Sequence, residues 1–165
     1  MNKFLMTVAA FGVMVAPAFA ATSDKTAEFI KMGAVSNMFE IETSKLALQK
    51  SSDAEVKKFA QQMIDDHTKA GKEMKAALTK EQATLVPAAL DEKHQEKLDD
   101  LKDEDSADFD EDYLEVQVDA HKEAVSLFED YSKDGDDVKL KNFATKTLPT
   151  LKAHHEHVKT LEDKK

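Results

Sequence analysis

Six histidines, 33 acidic residues and no cysteine set the chemical repertoire of this 165-residue chain. The informative ones are polar residues standing where helical periodicity calls for apolar ones, because a buried polar group says more than an exposed apolar one. Glu42 sits four residues beyond Met38 and four before Leu46. His67 falls in the row Ala60, Met63, Ala70 and Met74, with Asp66 beside it. His121 continues Leu114 and Val118 and is followed by Val125 and Phe128, while His154 lies between Leu151 and Val158. Neutral imidazole and carboxylate suit zinc, copper or iron, and soft thiolates are absent. Glu42, His67, His121 and His154 therefore form a candidate metal set, with Asp66 and Asp119 as acceptors that would orient the imidazoles. The competing reading makes each histidine a satisfied polar residue at a helix edge and pairs Glu42 with a lysine. Met38 and Met63 read as core filler rather than thioether ligands.

Such a set needs four helices. Only four glycines and three prolines leave few turns, which argues against a β-sandwich or barrel. Apolar residues at helical spacing run from about Thr26 to Gln49, through Ile30, Ala34, Val35, Met38, Ile41, Leu46 and Leu48. Ser51-Ser52-Asp53 supplies a turn and an N-cap, and a second helix follows, ended by the Thr84–Ala89 segment with Pro87. A short amphipathic piece, Asp91–Lys102, leads into the third helix, expected over about Ser106–Ser132. In the turn Lys133-Asp134-Gly135-Asp136, Gly135 is expected to take a positive φ. The last helix runs from Asp137 to about Leu161, with Pro149 inside it. Two hairpins joined by one long connection predict an all-α four-helix bundle with a crossover that contains a short extra helix.

Depth then depends on topology. His67 lies 14 residues beyond Asp53, and His121 lies 14 before Gly135. If the crossover spans the bundle, the two hairpin turns sit at opposite ends and both histidines fall near mid-height. If both turns share an end, Glu42 and His154 separate by about 13 Å and the set fails.

The first twenty residues read as a secretory signal: Lys3 is followed by an apolar run from Phe4 to Val15, and Ala18-Phe19-Ala20 has the small-x-small cleavage pattern. The run is shorter than the roughly 20 residues a membrane span needs. The expected product is a domain over residues 21–165, exported to the periplasm, with no span left after cleavage. A formal charge of −10 speaks against a nucleic-acid-binding surface. Nine acids in the fourteen residues Asp99–Asp112 superficially resemble a calcium loop, but Tyr113 stands where that loop requires glycine. The trio His154, His155 and His157 reads as a solvated polar face. A haem held through His and Met is selected by nothing in the sequence, and no phosphate loop, nucleophile elbow or metalloprotease histidine pair occurs.

The segments Phe59-Ala60-Gln61-Gln62-Met63-Ile64-Asp65-Asp66-His67-Thr68-Lys69 and Thr147-Leu148-Pro149-Thr150-Leu151-Lys152-Ala153-His154 resemble those of the ferritin-like domain-of-unknown-function family 4142. Glu40-Ile41-Glu42 and His121-Lys122-Glu123-Ala124-Val125 fit the same pattern, although Ala120 stands where members commonly carry Asp. The resemblance covers about Thr26 to Leu161. It implies a ferritin-like bundle with the long crossover and implies no activity. Oxygen-activating ferritin-like centres use Glu-x-x-His on two helices, and here Ile64 and Leu151 occupy those glutamate positions. The expectation is a non-enzymatic bundle that binds or buffers a transition metal, or supports envelope stress tolerance. The alternative is a structural module whose acidic surface meets an envelope protein or a second copy of itself.

Overall fold

The computed structural model describes residues 21–105 and 108–165. The expected leader over residues 1–20 and the expected helix start at Ser106 lie outside the described residues. Side-chain caps fix where the helices begin, each worth about 1 kcal/mol. The Ser23 hydroxyl accepts from the Thr26 N–H and opens α1 (Asp24–Lys50), and Asp53 accepts from Glu55 and Val56 and opens α2 (Ala54–Ala77). Thr79 and Gln82 form a reciprocal capping box around the one-turn α3 (Lys80–Ala83), and Asp91 caps α4 (Glu92–Asp103). After α5 (Phe109–Asp134), Asp137 accepts from Lys139 and Leu140 and opens α6 (Val138–Glu162). The second helix stops earlier than expected, because Thr79 starts a new turn before Pro87 is reached. The last helix continues without a break past Pro149, which lies on its exposed side. Among the described residues no helix is long and apolar enough to cross a membrane.

The four long helices form a bundle in which α1 packs on α2 and α5, and α6 packs on the same two. Polar ties show which ends coincide. At one end the Lys50 ammonium donates to the carbonyls of Leu101, Lys102 and Glu104, and Lys165 reaches both Asp53 and Asp110. At the other, Thr26 bonds the Tyr131 hydroxyl at 2.6 Å and Asp136 at 2.5 Å, and Gln82 donates to Asp137 at 2.9 Å. The Ser51–Asp53 turn and the Gly135–Asp137 turn therefore lie at opposite ends, and the crossover, carrying α3 and α4, traverses the bundle.

The core is split by depth. One apolar cluster contains Val56, Phe59, Met63, Phe109, Leu114 and Val158; the other contains Phe29, Ile30, Phe128, Tyr131, Leu140 and Phe143. Between them every long helix places buried polar residues: Glu40 and Thr43 on α1, His67 on α2, Gln117 and His121 on α5, His154 on α6. Gln117 Nε2 donates to Thr43 Oγ1 at 2.9 Å, and Ser44 pairs with the Tyr113 hydroxyl at 2.9 Å. On α1 the expected inward residues Met38, Ile41, Leu46 and Leu48 are only half-buried, while Phe39, Glu40, Thr43, Ser44 and Ala47 point inward.

Gly135 departs from expectation. Its φ is −61°, so no positive dihedral is required. Space requires it instead: a Cβ there would lie 2.5 Å from the Tyr131 carbonyl oxygen and 2.6 Å from its ring. That ring cannot easily yield, since it stacks on Phe29 at 3.9 Å and its hydroxyl is bonded to Thr26. Gly135→Ala is therefore expected to destabilise the protein by about 1–3 kcal/mol through overpacking, read as a lower midpoint in urea unfolding; an unchanged midpoint would contradict this account of the turn.

Candidate metal centre

Helical register decides which carboxylate enters the polar layer. Residues two apart on a helix point about 200° away from one another, so Glu40 and Glu42 cannot both face inward. Glu40 follows the buried row Ile30, Gly33, Thr43 and Ala47 and is fully buried. Glu42 points outward and pairs with Lys45 at 2.8 Å, half-exposed. The carboxylate expected from sequence is thus replaced by its neighbour one turn-face away. The apolar residues Met38 and Leu46 mark the edge of α1 rather than its core side, which is why the row through Glu42 misled.

The three histidines do converge. Their ring centroids lie 5.8 Å (His67–His121), 5.7 Å (His67–His154) and 5.6 Å (His121–His154) apart, a nearly equilateral triangle. One ring nitrogen from each lies within 4.8 Å of the others, and all three residues are buried. Glu40 Oε2 approaches His67 Nε2 at 3.0 Å and His121 Nε2 at 3.1 Å. Its other oxygen accepts from the Ser36 hydroxyl at 2.8 Å, which fixes the carboxylate's rotation.

Outer hydrogen bonds select the tautomers. His121 Nδ1 lies 2.8 Å from the Gln117 carbonyl oxygen, which can only accept, so Nδ1 carries hydrogen and Nε2 presents a lone pair. His154 Nε2 lies 2.9 Å from Asp66 Oδ2, so in the neutral ring Nδ1 is the free nitrogen. Asp66 thus stands where an orienting acceptor was expected. Asp119 does not: it is exposed on α5 and lines a surface groove with Asp100 and Glu104 of the α4 side. His155 is half-buried and His157 exposed, the latter edge-on to Phe59 at 5.3 Å.

Glu40 Oε2, His67 Nε2 and His121 Nε2 are buried and meet only one another, at 3.0 and 3.1 Å, while His154 Nδ1 is buried without a hydrogen-bond partner among the described residues. Polar atoms buried with so few partners are costly, and here they gather at one place. Burial pushes the Glu40 carboxyl up, but the His121 and His67 rings beside it outweigh burial and hold it down at about 2. Burial pushes His67 down, yet Glu40 raises it above 6.5. Burial lowers His121 and His154, so both favour the neutral, ligating form. His121 Nε2 and Glu40 Oε2 face each other at 3.1 Å, a contact that either a proton on the ring or a cation between the two atoms satisfies. Metal–nitrogen bonds of about 2.0–2.1 Å give a tetrahedron with edges of roughly 3.3 Å, close to the 3.0 and 3.1 Å separations seen. Three imidazoles with ring nitrogens within 4.8 Å of one another, two of them against Glu40, are a donor set suited to a transition-metal ion. Glu40 is the residue that sequence reading missed.

Comparison with known proteins adds the following. No curated protein sequence matches the chain. Among solved structures, "CopM in the Cu(II)-bound form" superposes with a TM-score of 0.70 at 22% sequence identity, over 84% of this chain and 96% of that one. This likeness shows the helical-bundle fold. The sequence pattern described as "Domain of unknown function (DUF4142)" matches residues 13–161, and the chain accordingly belongs to that family.

Proposed function

We propose that this chain is an exported, non-catalytic helical bundle that binds one transition-metal ion at Glu40, His67, His121 and His154. The observation that carries the reading is the convergence of three buried imidazoles from three helices, with the buried Glu40 carboxylate of a fourth helix against two of them. Zinc, copper and iron all accept this donor set. The solved bundle named above is in its Cu(II)-bound form, which makes copper(II) the first ion to test. Buffering rather than turnover is supported by Ile64 and Leu151, which stand where a dinuclear oxygen-activating bundle would carry glutamates. Export to the periplasm is supported by the leader pattern ending at Ala20. The partner remains open to an envelope protein or a second copy of the chain.

The test is metal analysis of untagged protein purified from its native compartment, followed by copper(II) titration of the chelator-treated chain. One equivalent is expected in the wild type and none in the His67→Ala/His121→Ala double variant. Asp66→Asn should weaken binding by about 10–100-fold, the usual effect of removing an acceptor behind a ligating histidine, and Glu42→Gln should leave it unchanged. Full stoichiometry in the double variant would defeat the reading.

A second reading makes the layer a purely structural ion pair, favoured by the 3.0 Å contact between Glu40 and His67. It has its own signature in the metal-free protein. Glu40's lowered value gives stability present above about 4.5 and lost as pH falls toward 2. His67's raised value gives stability present below 6.5 and lost as pH rises through the folded value. Their shared contribution, about 3 kcal/mol at most, is thus largest between pH 4.5 and 6.5. With chelator present, the stability gap between wild type and Glu40→Gln in urea should be wider at pH 5.5 than at pH 8. An equal gap at both would show that the pair contributes no pH-dependent stability.

A further inference from the structure

Helical spacing assigns Met38 and Ile41 to the core, yet both stand half-buried at the edge of α1. They line a surface groove of about 390 Å³ that the core does not use. Met74 and Leu78 of α2 form its second wall, and Ala83 and Val86 of the crossover form a third. Val86 is 37% exposed there. The volume falls in the range of small-molecule sites, about 300–1,000 Å³. One turn of helix, about 10 Å across and 5.4 Å long, already fills roughly 420 Å³. The groove is therefore too small for a docked helix and suits a small molecule.

Its chemistry is one-sided. Among the described residues Lys75 is the one charged side chain in an otherwise largely apolar lining. That ammonium pairs with no carboxylate among the described residues. In a chain of formal charge −10, an apolar groove with one unpaired cation selects a ligand with an apolar chain and a negative head. Length follows from the helix pair. Gly71 faces Asn37, since a Cβ there would lie 3.0 Å from the Asn37 amide nitrogen. The short turn at Ser51–Asp53 makes α1 and α2 antiparallel, so Lys75 lies one helical turn to one side of that contact and Ile41 one turn to the other. The two are thus about 12 Å apart along the axis. That is the length of roughly ten staggered carbons, at about 1.25 Å of advance each.

We infer that this groove binds a single-chain carboxylate amphiphile of about ten carbons, its head at Lys75 and its tail toward Ile41. Met38 and Met74 suit such a ligand, because unbranched thioethers adapt their shape to a flexible chain. None of Glu40, His67, His121 and His154 lines the groove, so the site stands apart from the metal layer.

The probe is sodium decanoate, kept below its micelle concentration. It is added to the chelator-treated protein purified as above and labelled with carbon-13 in its methionine methyl groups. The Met38 and Met74 resonances are expected to shift together and saturate. Met63 in the core and Met32 in the α1–α5 groove should stay in place. Affinity should rise about two- to fourfold per methylene from hexanoate to decanoate, then level off. Decanol should bind about three- to fivefold more weakly than decanoate, the range of an exposed ion pair, and Lys75→Met should abolish that preference. Ala83→Phe, which fills the groove from its third wall, should weaken decanoate at least about tenfold. Both substituted positions are exposed, so folding is not at stake. Decanoate that leaves Met38 and Met74 unmoved, moves Met32 and Met63 in step with them, or binds no better than decanol overturns the inference. Shifts of Met38 and Met74 on dilution of ligand-free protein would seat a second copy of the chain in the groove and overturn it as well. Uptake of copper(II) has no bearing on any of these results.

Discussion

A fully buried carboxylate held against two imidazoles is the constraint on which the rest of the structure depends. Removing a charge from water costs several kcal/mol even after relaxation, and only close partners recover it. Glu40 obtains those partners from α2 and α5, and Ser36 on its own helix holds its second oxygen. The partners reach it only because the crossover runs the length of the bundle. With both hairpin turns at one end, the histidines of α2 and α5 would no longer face the same level of α1.

The two apolar clusters above and below the layer make it affordable. Aromatic and aliphatic side chains such as Phe59, Phe109 and Leu114 at one end, and Phe29, Ile30 and Leu140 at the other, are removed from water almost completely. Burial of this kind contributes roughly 1.5–3 kcal/mol per large side chain, and the caps at Ser23, Asp53, Asp91 and Asp137 add to it. Replacing a buried ionic group by well-packed apolar residues is often neutral or stabilising. A layer that gathers three imidazoles and a carboxylate in mid-core therefore makes more sense as a binding centre than as a source of stability.

Much of this was readable from residue order. Apolar spacing located the four long helices, and the cap residue Asp53 located the start of α2, because both signals are local. The three histidines were legible for the same reason: each interrupts an apolar row on its own helix. Glu40 was not, because the stretch of α1 that follows it turns Thr43, Ser44 and Ala47 inward, and such small or polar side chains resemble a surface. The apolar residues beside it, Met38 and Ile41, lie at the edge and face the α1–α2 groove. Gly135 failed differently. Its need for glycine arises from the Tyr131 ring and carbonyl, a spatial crowding that no dihedral preference encodes. Asp66 and Asp119 each precede a histidine region in similar fashion, and only their rotation about the helix axis, set by packing, separates the one that bonds His154 from the one in solvent.

The central claim is that one metal ion sits among Glu40, His67, His121 and His154, inside the bundle. A crystal structure of the copper-loaded protein, with anomalous diffraction collected at the copper edge, addresses it directly. The account predicts a single strong peak at mid-height, within coordinating distance of those four side chains. A peak at the exposed His155–His157 segment, or none within the bundle, would contradict it.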